Sequence, residues 1–177
     1  DPMTTTIRVV LAALILALGA TDVEAKERIP FVEGDLHGDD WVQIKKYLAV
    51  EYPLIVKDIA EEKKLDREAA WEYFRKHNMF AGRFDITGDG VEELFVTIFH
   101  NYVCGTAGCN TSIFQVSPSG WQKLSSISPM ISDIGGPEIF VADEVIDGYR
   151  TLHTDYMGLH WNGERYVAYC RRKCSQG

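Results

Sequence analysis

The stretch Phe84–His100, FDITGDGVEELFVTIFH, constrains the fold more than any other part of the chain. Asp85, Thr87 and Asp89 place side-chain oxygens at alternate positions of a glycine-rich turn, Glu93 adds another, and Val91 can offer its carbonyl. The chain then becomes apolar at once. Successive side chains of a strand point to opposite faces, so Leu94, Val96 and Ile98 share one face and Phe95 and Phe99 the other. A strand apolar on both faces sits centrally in a sheet or under helices. The segment is therefore expected at the middle of the fold, with the acidic turn joining a helical half to a strand half.

The residues before the turn read as helix. Lys26–Gly38 is polar and broken by Pro30 and Gly34, an irregular lead-in. Asp39 or Asp40, in DLHGDD, is the expected N-cap, because a carboxylate there accepts a free amide of the first turn. Trp41, Ile44 and Leu48 then recur at helical spacing. Pro53 interrupts the period and starts a second helix to about Lys64. Asp66 is placed to cap a third, Arg67–His77, with Ala70, Trp71 and Phe74 as its buried stripe.

After the turn the chain reads as antiparallel strands. The pattern predicts Leu94–His100, Thr111–Val116, Trp121–Ile127, Glu138–Ala142, Tyr149–Thr154, Leu159–Trp161 and Glu164–Cys170. Asn162-Gly163 suits a two-residue type I′ turn, which sets Trp161 opposite Glu164 and Leu159 opposite Tyr166. Leu152, Leu159, Trp161, Tyr166, Ala168 and Cys170 then share one face, expected to pack on the helices, and His153, His160, Arg165 and Tyr169 share the other. Helices followed by strands indicate an α+β fold, N-terminal helices on a mainly antiparallel meander of six to seven strands.

Residues 1–25 read as processing sequence. Asp1 and Pro2, ahead of Met3, read as a cloning remnant, and Met3–Ala25 has the three parts of a secretory signal. Arg8 supplies the positive end and Val23-Glu24-Ala25 the small-residue cleavage site. The uncharged run Val9–Ala20 is too short for a membrane helix, which needs about 20 residues. No Cys stands near the cleavage site to take a lipid, so no stable membrane anchor is expected. Residues 26–177 form one domain of ordinary size, destined for the periplasm or the extracellular space. A net charge of −8 without a Lys/Arg block argues against nucleic acid as a partner.

An oxidising compartment gives the 4 cysteines a role. Four cysteines allow three pairings, and proximity favours Cys104–Cys109 and Cys170–Cys174. Neither pair has the C-x-x-C spacing of a redox dithiol or a zinc ribbon. Cys104-Gly105-Thr106-Ala107-Gly108-Cys109 then reads as a hairpin tip fastened by its own disulfide. A rigid tip loses little entropy on binding. Tyr102 and these six residues are the candidate contact surface for a protein partner.

Asp85, Thr87, Asp89, Val91 and Glu93 offer oxygens at positions 1, 3, 5, 7 and 9 of a loop, the donor chemistry calcium takes. An EF-hand also needs a bidentate acid at position 12, which is Val96 here. Residues 85–93 resemble instead the calcium loops of FG-GAP repeats, Asp-x-Asn-x-Asp-Gly-x-x-Asp before an apolar strand, with Thr87 in place of Asn and Glu93 in place of the last Asp. The resemblance implies a calcium ion. The motif occurs once, so it implies no propeller. Without an ion the same residues make an Asp-Gly turn held by side-chain-to-backbone bonds.

A turn through Asp155-Tyr156-Met157-Gly158 would pair His153 with His160 across two strands, an arrangement able to hold zinc or copper or to serve as acid and base. The chain has no G-x-S-x-G segment, P-loop, H-E-x-x-H or dinucleotide fingerprint. The first expectation is a non-catalytic secreted or periplasmic binding protein, such as an inhibitor or immunity protein of an extracytoplasmic enzyme. A calcium- or transition-metal-binding module is the alternative, and a small hydrolase using His153 or His160 the second alternative.

Overall fold

A computed structural model describes residues 26–106, 108–129, 131–132, 136–154 and 157–169. Its elements run β1 (Lys26–Arg28), β2 (Val32–Glu33), α1 (Gly38–Glu51), α2 (Pro53–Lys63), α3 (Arg67–Asn78), β3 (Met79–Phe84), β4 (Glu93–Ile98), β5 (Thr111–Ser117) and β6 (Gly120–Ile127). There follow β7 (Ile131–Ser132), β8 (Gly136–Pro137), β9 (Phe140–Ile146), β10 (Tyr149–His153), β11 (Gly158–Trp161) and β12 (Tyr166–Tyr169). The fold is α+β and rich in strand. Two antiparallel five-stranded sheets, ordered β2-β3-β4-β5-β6 and β1-β9-β10-β11-β12, are joined by a two-stranded ribbon, β7–β8. The expectation of a single meander of six to seven strands is thereby corrected. No helix among the described residues is long and apolar enough to cross a membrane.

The strand β4 occupies the middle of the first sheet, and all six of its residues are buried. Its two faces serve two cores. Leu94, Val96 and Ile98 pack with Ile44, Leu48, Ile55, Ile59, Trp71 and Phe74 of the helices. Phe95 faces the other way, among Ile113, Ile139, Val141, Leu152, Leu159, Trp161 and Tyr166. The layers are thus helices, first sheet, second sheet. Leu159, Trp161 and Tyr166 do share a buried face, but that face packs on the first sheet rather than on the helices. Phe99, expected beside Phe95, lies just past the strand and is 49% exposed.

Local chemistry explains the helix ends. The Asp66 carboxylate accepts the Ala69 amide at 2.8 Å and caps α3 as the sequence predicts. Pro53 opens α2, where its missing N–H costs nothing. The expected cap at Asp39 or Asp40 is corrected: α1 begins at Gly38 behind His37, with no side-chain cap. Asp40 is engaged elsewhere. Its carboxylate accepts from Arg83 of β3 at 2.5 Å and from the Trp121 indole of β6 at 2.6 Å, tying α1 across the first sheet.

Five strands were not expected from the sequence: β1, β2, β3, β7 and β8. Gly82 of β3 shows why that strand is hard to see. A Cβ there would sit 2.9 Å from Ile29 and 3.1 Å from the Pro30 carbonyl, so the position stays bare where the lead-in crosses β3. Arg75 of α3 fastens the same lead-in, donating to the carbonyls of Gly34 (2.6 Å) and Leu36 (3.1 Å) while Glu72 holds its other edge.

The last hairpin departs from the expected register. Trp161 pairs with Tyr166 and Leu159 with Ala168. Asn162 accepts the amides of Glu164 (3.0 Å) and Arg165 (2.9 Å) through its side chain, which lengthens the turn by two residues. The shift is even, so each residue keeps its face.

Candidate functional site

The tip between β4 and β5 is built from short-range bonds. Val103 and Cys104 both donate to the His100 carbonyl at 2.8 Å, curling the chain after β4. Cys104 and Cys109 are disulfide-bonded, and Gly105 and Gly108 exchange backbone bonds at 2.9 and 3.0 Å inside the ring. Gly108 has φ +105°, and a Cβ there would fall 2.2 Å from the Pro129 carbonyl oxygen, so only glycine fits. The neighbouring Cys109 amide donates to that same carbonyl at 3.1 Å. From the other side, Asn110 donates to the Tyr52 hydroxyl at 2.6 Å, docking the tip on the α1–α2 junction. Burial pushes the Tyr52 phenol up, against the Asn110 bond.

Of the candidate contact residues, Tyr102, Gly105 and Thr106 are exposed, Cys104 and Gly108 are half-buried, and Cys109 is buried. Ala107 lies outside the described residues, as do Cys170 and Cys174 of the second expected disulfide. Tyr102 is 68% exposed and stacks on His100 with ring centroids 5.3 Å apart. The Asp58 carboxylate of α2 lies beside its hydroxyl and pushes its pKa up. Beside the tip, Ile59, Lys63, Tyr73, His77, Phe99 and Asn101 line a cavity of about 290 Å³. Sequence reading missed this cavity, since its walls come from α2, α3 and the chain after β4. Phe99, the last apolar residue of the run that begins at Leu94, was the visible signal.

The acidic turn is held by its own backbone. One Asp85 oxygen accepts from the amides of Gly88 (2.6 Å) and Thr87 (3.2 Å) and from the Thr87 hydroxyl (3.2 Å), and the other from Gly90 (2.8 Å). Desolvation opposes ionisation of Asp85, but these donors outweigh it and hold the carboxyl below its usual range. Asp89 accepts the Val91 amide at 2.8 Å. Glu93 turns inward, 4% exposed, and accepts the Ile86 amide at 3.0 Å. Burial pushes its carboxyl up, with the charges of Asp85 and Asp89 adding to the shift. No group of three or more His, Cys, Asp or Glu side chains set to hold a metal occurs among the described residues.

His153 and His160 do not form a cross-strand pair. Leu152 faces Leu159, which puts His153 opposite Gly158, and His160 pairs with Val167 of β12. His153 is only 6% exposed rather than on a polar face. The Tyr169 ring neighbours both, 6.4 Å from His153 and 5.2 Å from His160. Asp155 lies outside the described residues.

No protein-family model matches this chain, and no curated protein and no solved structure matches it.

Proposed function

We propose that the chain is a non-catalytic binding protein of the periplasm or extracellular space that inhibits or neutralises an extracytoplasmic enzyme through the Cys104–Cys109 tip. The observation that carries the reading is a disulfide-closed loop with an exposed Tyr102 two residues ahead of it, beside a concave wall. Aromatic anchors next to a cavity dominate the energetics of protein interfaces. The net charge of −8 favours a cationic partner, because opposite net charge speeds encounter.

The test is an inhibition assay against cationic cell-wall hydrolases, a lysozyme first. The chain from residue 26 slows the enzyme, and Tyr102→Ala at an unchanged thermal midpoint relieves the inhibition. Equal inhibition by both proteins removes the tip from the mechanism.

The acidic turn supports a second reading, a calcium-binding module. The favouring observation is that the buried Glu93 carboxyl lies within electrostatic reach of the Asp85 and Asp89 charges at the same turn. On this reading added calcium raises the thermal midpoint, a chelator reverses the rise, and Asp89→Ala removes the response. A midpoint indifferent to calcium rejects it.

A further inference from the structure

The outer surface of the helical layer carries a groove that the tip does not use. Two hollows of about 330 and 380 Å³ adjoin across α1, α2 and α3 and share Ala49, Arg67 and Trp71. Small residues, Ala49, Pro53 and Ala60, keep the floor low, with Val56 and Trp71 beneath. Such a floor admits the backbone and apolar side chains of another chain segment. It lies on the side of α2 away from the tip: Val56, Lys57 and Ala60 line the groove, Ile59 and Lys63 the tip cavity.

Its charge runs against that of the protein. The chain is acidic overall, yet Lys45, Lys46, Lys57 and Arg67 rim the groove. Glu68, the acid among the described lining residues, is held by Lys45 at 2.5 Å, and Lys57 lies 3.8 Å from Glu61. Lys46 and Arg67 have no ion pair or side-chain hydrogen bond among the described residues. Two uncompensated cations on opposite walls, α1 and α3, over an apolar floor ask for an occupant with carboxylates on both flanks of an apolar stripe. We propose that the groove docks an acidic, amphipathic segment of a partner protein, its apolar side chains on the Ala49–Trp71 floor and its carboxylates at Lys46 and Arg67. A lipid surface fits less well. The cations flank a hollow instead of crowning a protrusion, and the acidic remainder of the chain is repelled by anionic membranes.

A displayed library of random peptides, selected on the protein from residue 26 onward, tests this. Selected peptides are expected to combine Asp or Glu with Leu, Ile or Phe. The double variant K46E/R67E should bind a selected peptide about tenfold more weakly, a loss of about 1.4 kcal/mol. K46Q/R67Q, with an unchanged thermal midpoint, should show a smaller loss in the same direction. Tyr102→Ala should bind unchanged, which separates this surface from the tip whatever becomes of the inhibitor reading. Selected peptides without acidic bias, equal binding by K46E/R67E, or displacement by phosphatidylglycerol vesicles overturns the proposal.

Discussion

Glu93 accepts the backbone N–H of Ile86 at 3.0 Å in the core between the two sheets, and the Ile86 carbonyl accepts the Arg150 amide at 2.8 Å. Ile86 itself is fully buried. One turn residue thus links β4 of the first sheet to β10 of the second, and the linking bond depends on a carboxyl group that burial disfavours as an anion.

The burial of that carboxyl gives the protein a pH signature. The raised pKa of Glu93 means the folded chain holds a proton that the unfolded chain releases. The contribution is complete below the ordinary value of 4.5 and is lost as pH rises through the folded value. Glu93→Gln keeps an oxygen for the Ile86 amide and cannot ionise. Urea midpoints should therefore show the variant gaining on the wild type as pH rises above 4.5. A constant difference would mean that Glu93 titrates alike in both states.

Asp85 acts with the opposite sign. Its folded-state pKa is lowered, so its contribution is present above the ordinary 3.8 and fades as pH falls through the folded value. Asp85→Ala frees the amides of Gly88 and Gly90, which are exposed and turn to water. The expected loss at neutral pH is about 1 kcal/mol, equal with chelator present. A loss seen only in calcium would instead assign the stabilisation to an ion.

The helix ends supply a paired test. Asp66→Ala removes the bond to Ala69 and should cost about 1 kcal/mol. Asp39→Ala should stay within about 0.5 kcal/mol, because Asp39 is exposed and the cap position belongs to His37. Chemical denaturation of the two variants side by side decides; equal losses would move the start of α1.

What could be read beforehand was local. Asp66 sits directly before its helical stripe, the doubly apolar Leu94–Ile98 run needs cover on both sides, and Cys104 and Cys109 are neighbours. What escaped depends on distant partners. Gly82 and Arg83 dilute the pattern of β3, although the glycine is there to let the Ile29–Phe31 segment cross it. Asn162-Gly163 signals a tight turn, but the Asn162 side chain takes two amides and shifts the register. An apolar face carries no address: Leu159, Trp161 and Tyr166 need burial, and nothing in their spacing distinguishes helices from a second sheet as the cover. The groove and the tip cavity escaped for the same reason, each being walled by several elements.

The division of β4 into two faces makes a sharp contrast between two phenylalanines. Phe95 is fully buried between the sheets, with the Phe31 ring edge-on at 6.4 Å. Phe95→Ala should cost about 3–5 kcal/mol through lost burial and a cavity that the flanking sheets cannot close. Phe99→Ala, past the strand end, should cost far less. Urea titration of both variants reads the difference directly, and similar losses would place Phe99 in the core after all.

The tip separates stability from binding. Closing so short a ring removes about 2 kcal/mol of unfolded-chain entropy, so C104S/C109S should be less stable by that amount and still fold. Asn110 and Cys109 keep the ends of the tip docked on Tyr52 and Pro129 without the sulfur bridge. Tyr102 bears on none of those bonds beyond its own neighbours His100 and Asp58, so Tyr102→Ala should leave the midpoint in place. If the tip is the contact surface, the two variants weaken partner inhibition for different reasons. Tyr102→Ala removes an anchor and speeds dissociation, while C104S/C109S loosens the loop and adds an ordering cost that a reducing agent reproduces in the wild type. Inhibition measured with and without reductant, at matched folded fraction, distinguishes them; indifference to both changes would place the contact elsewhere.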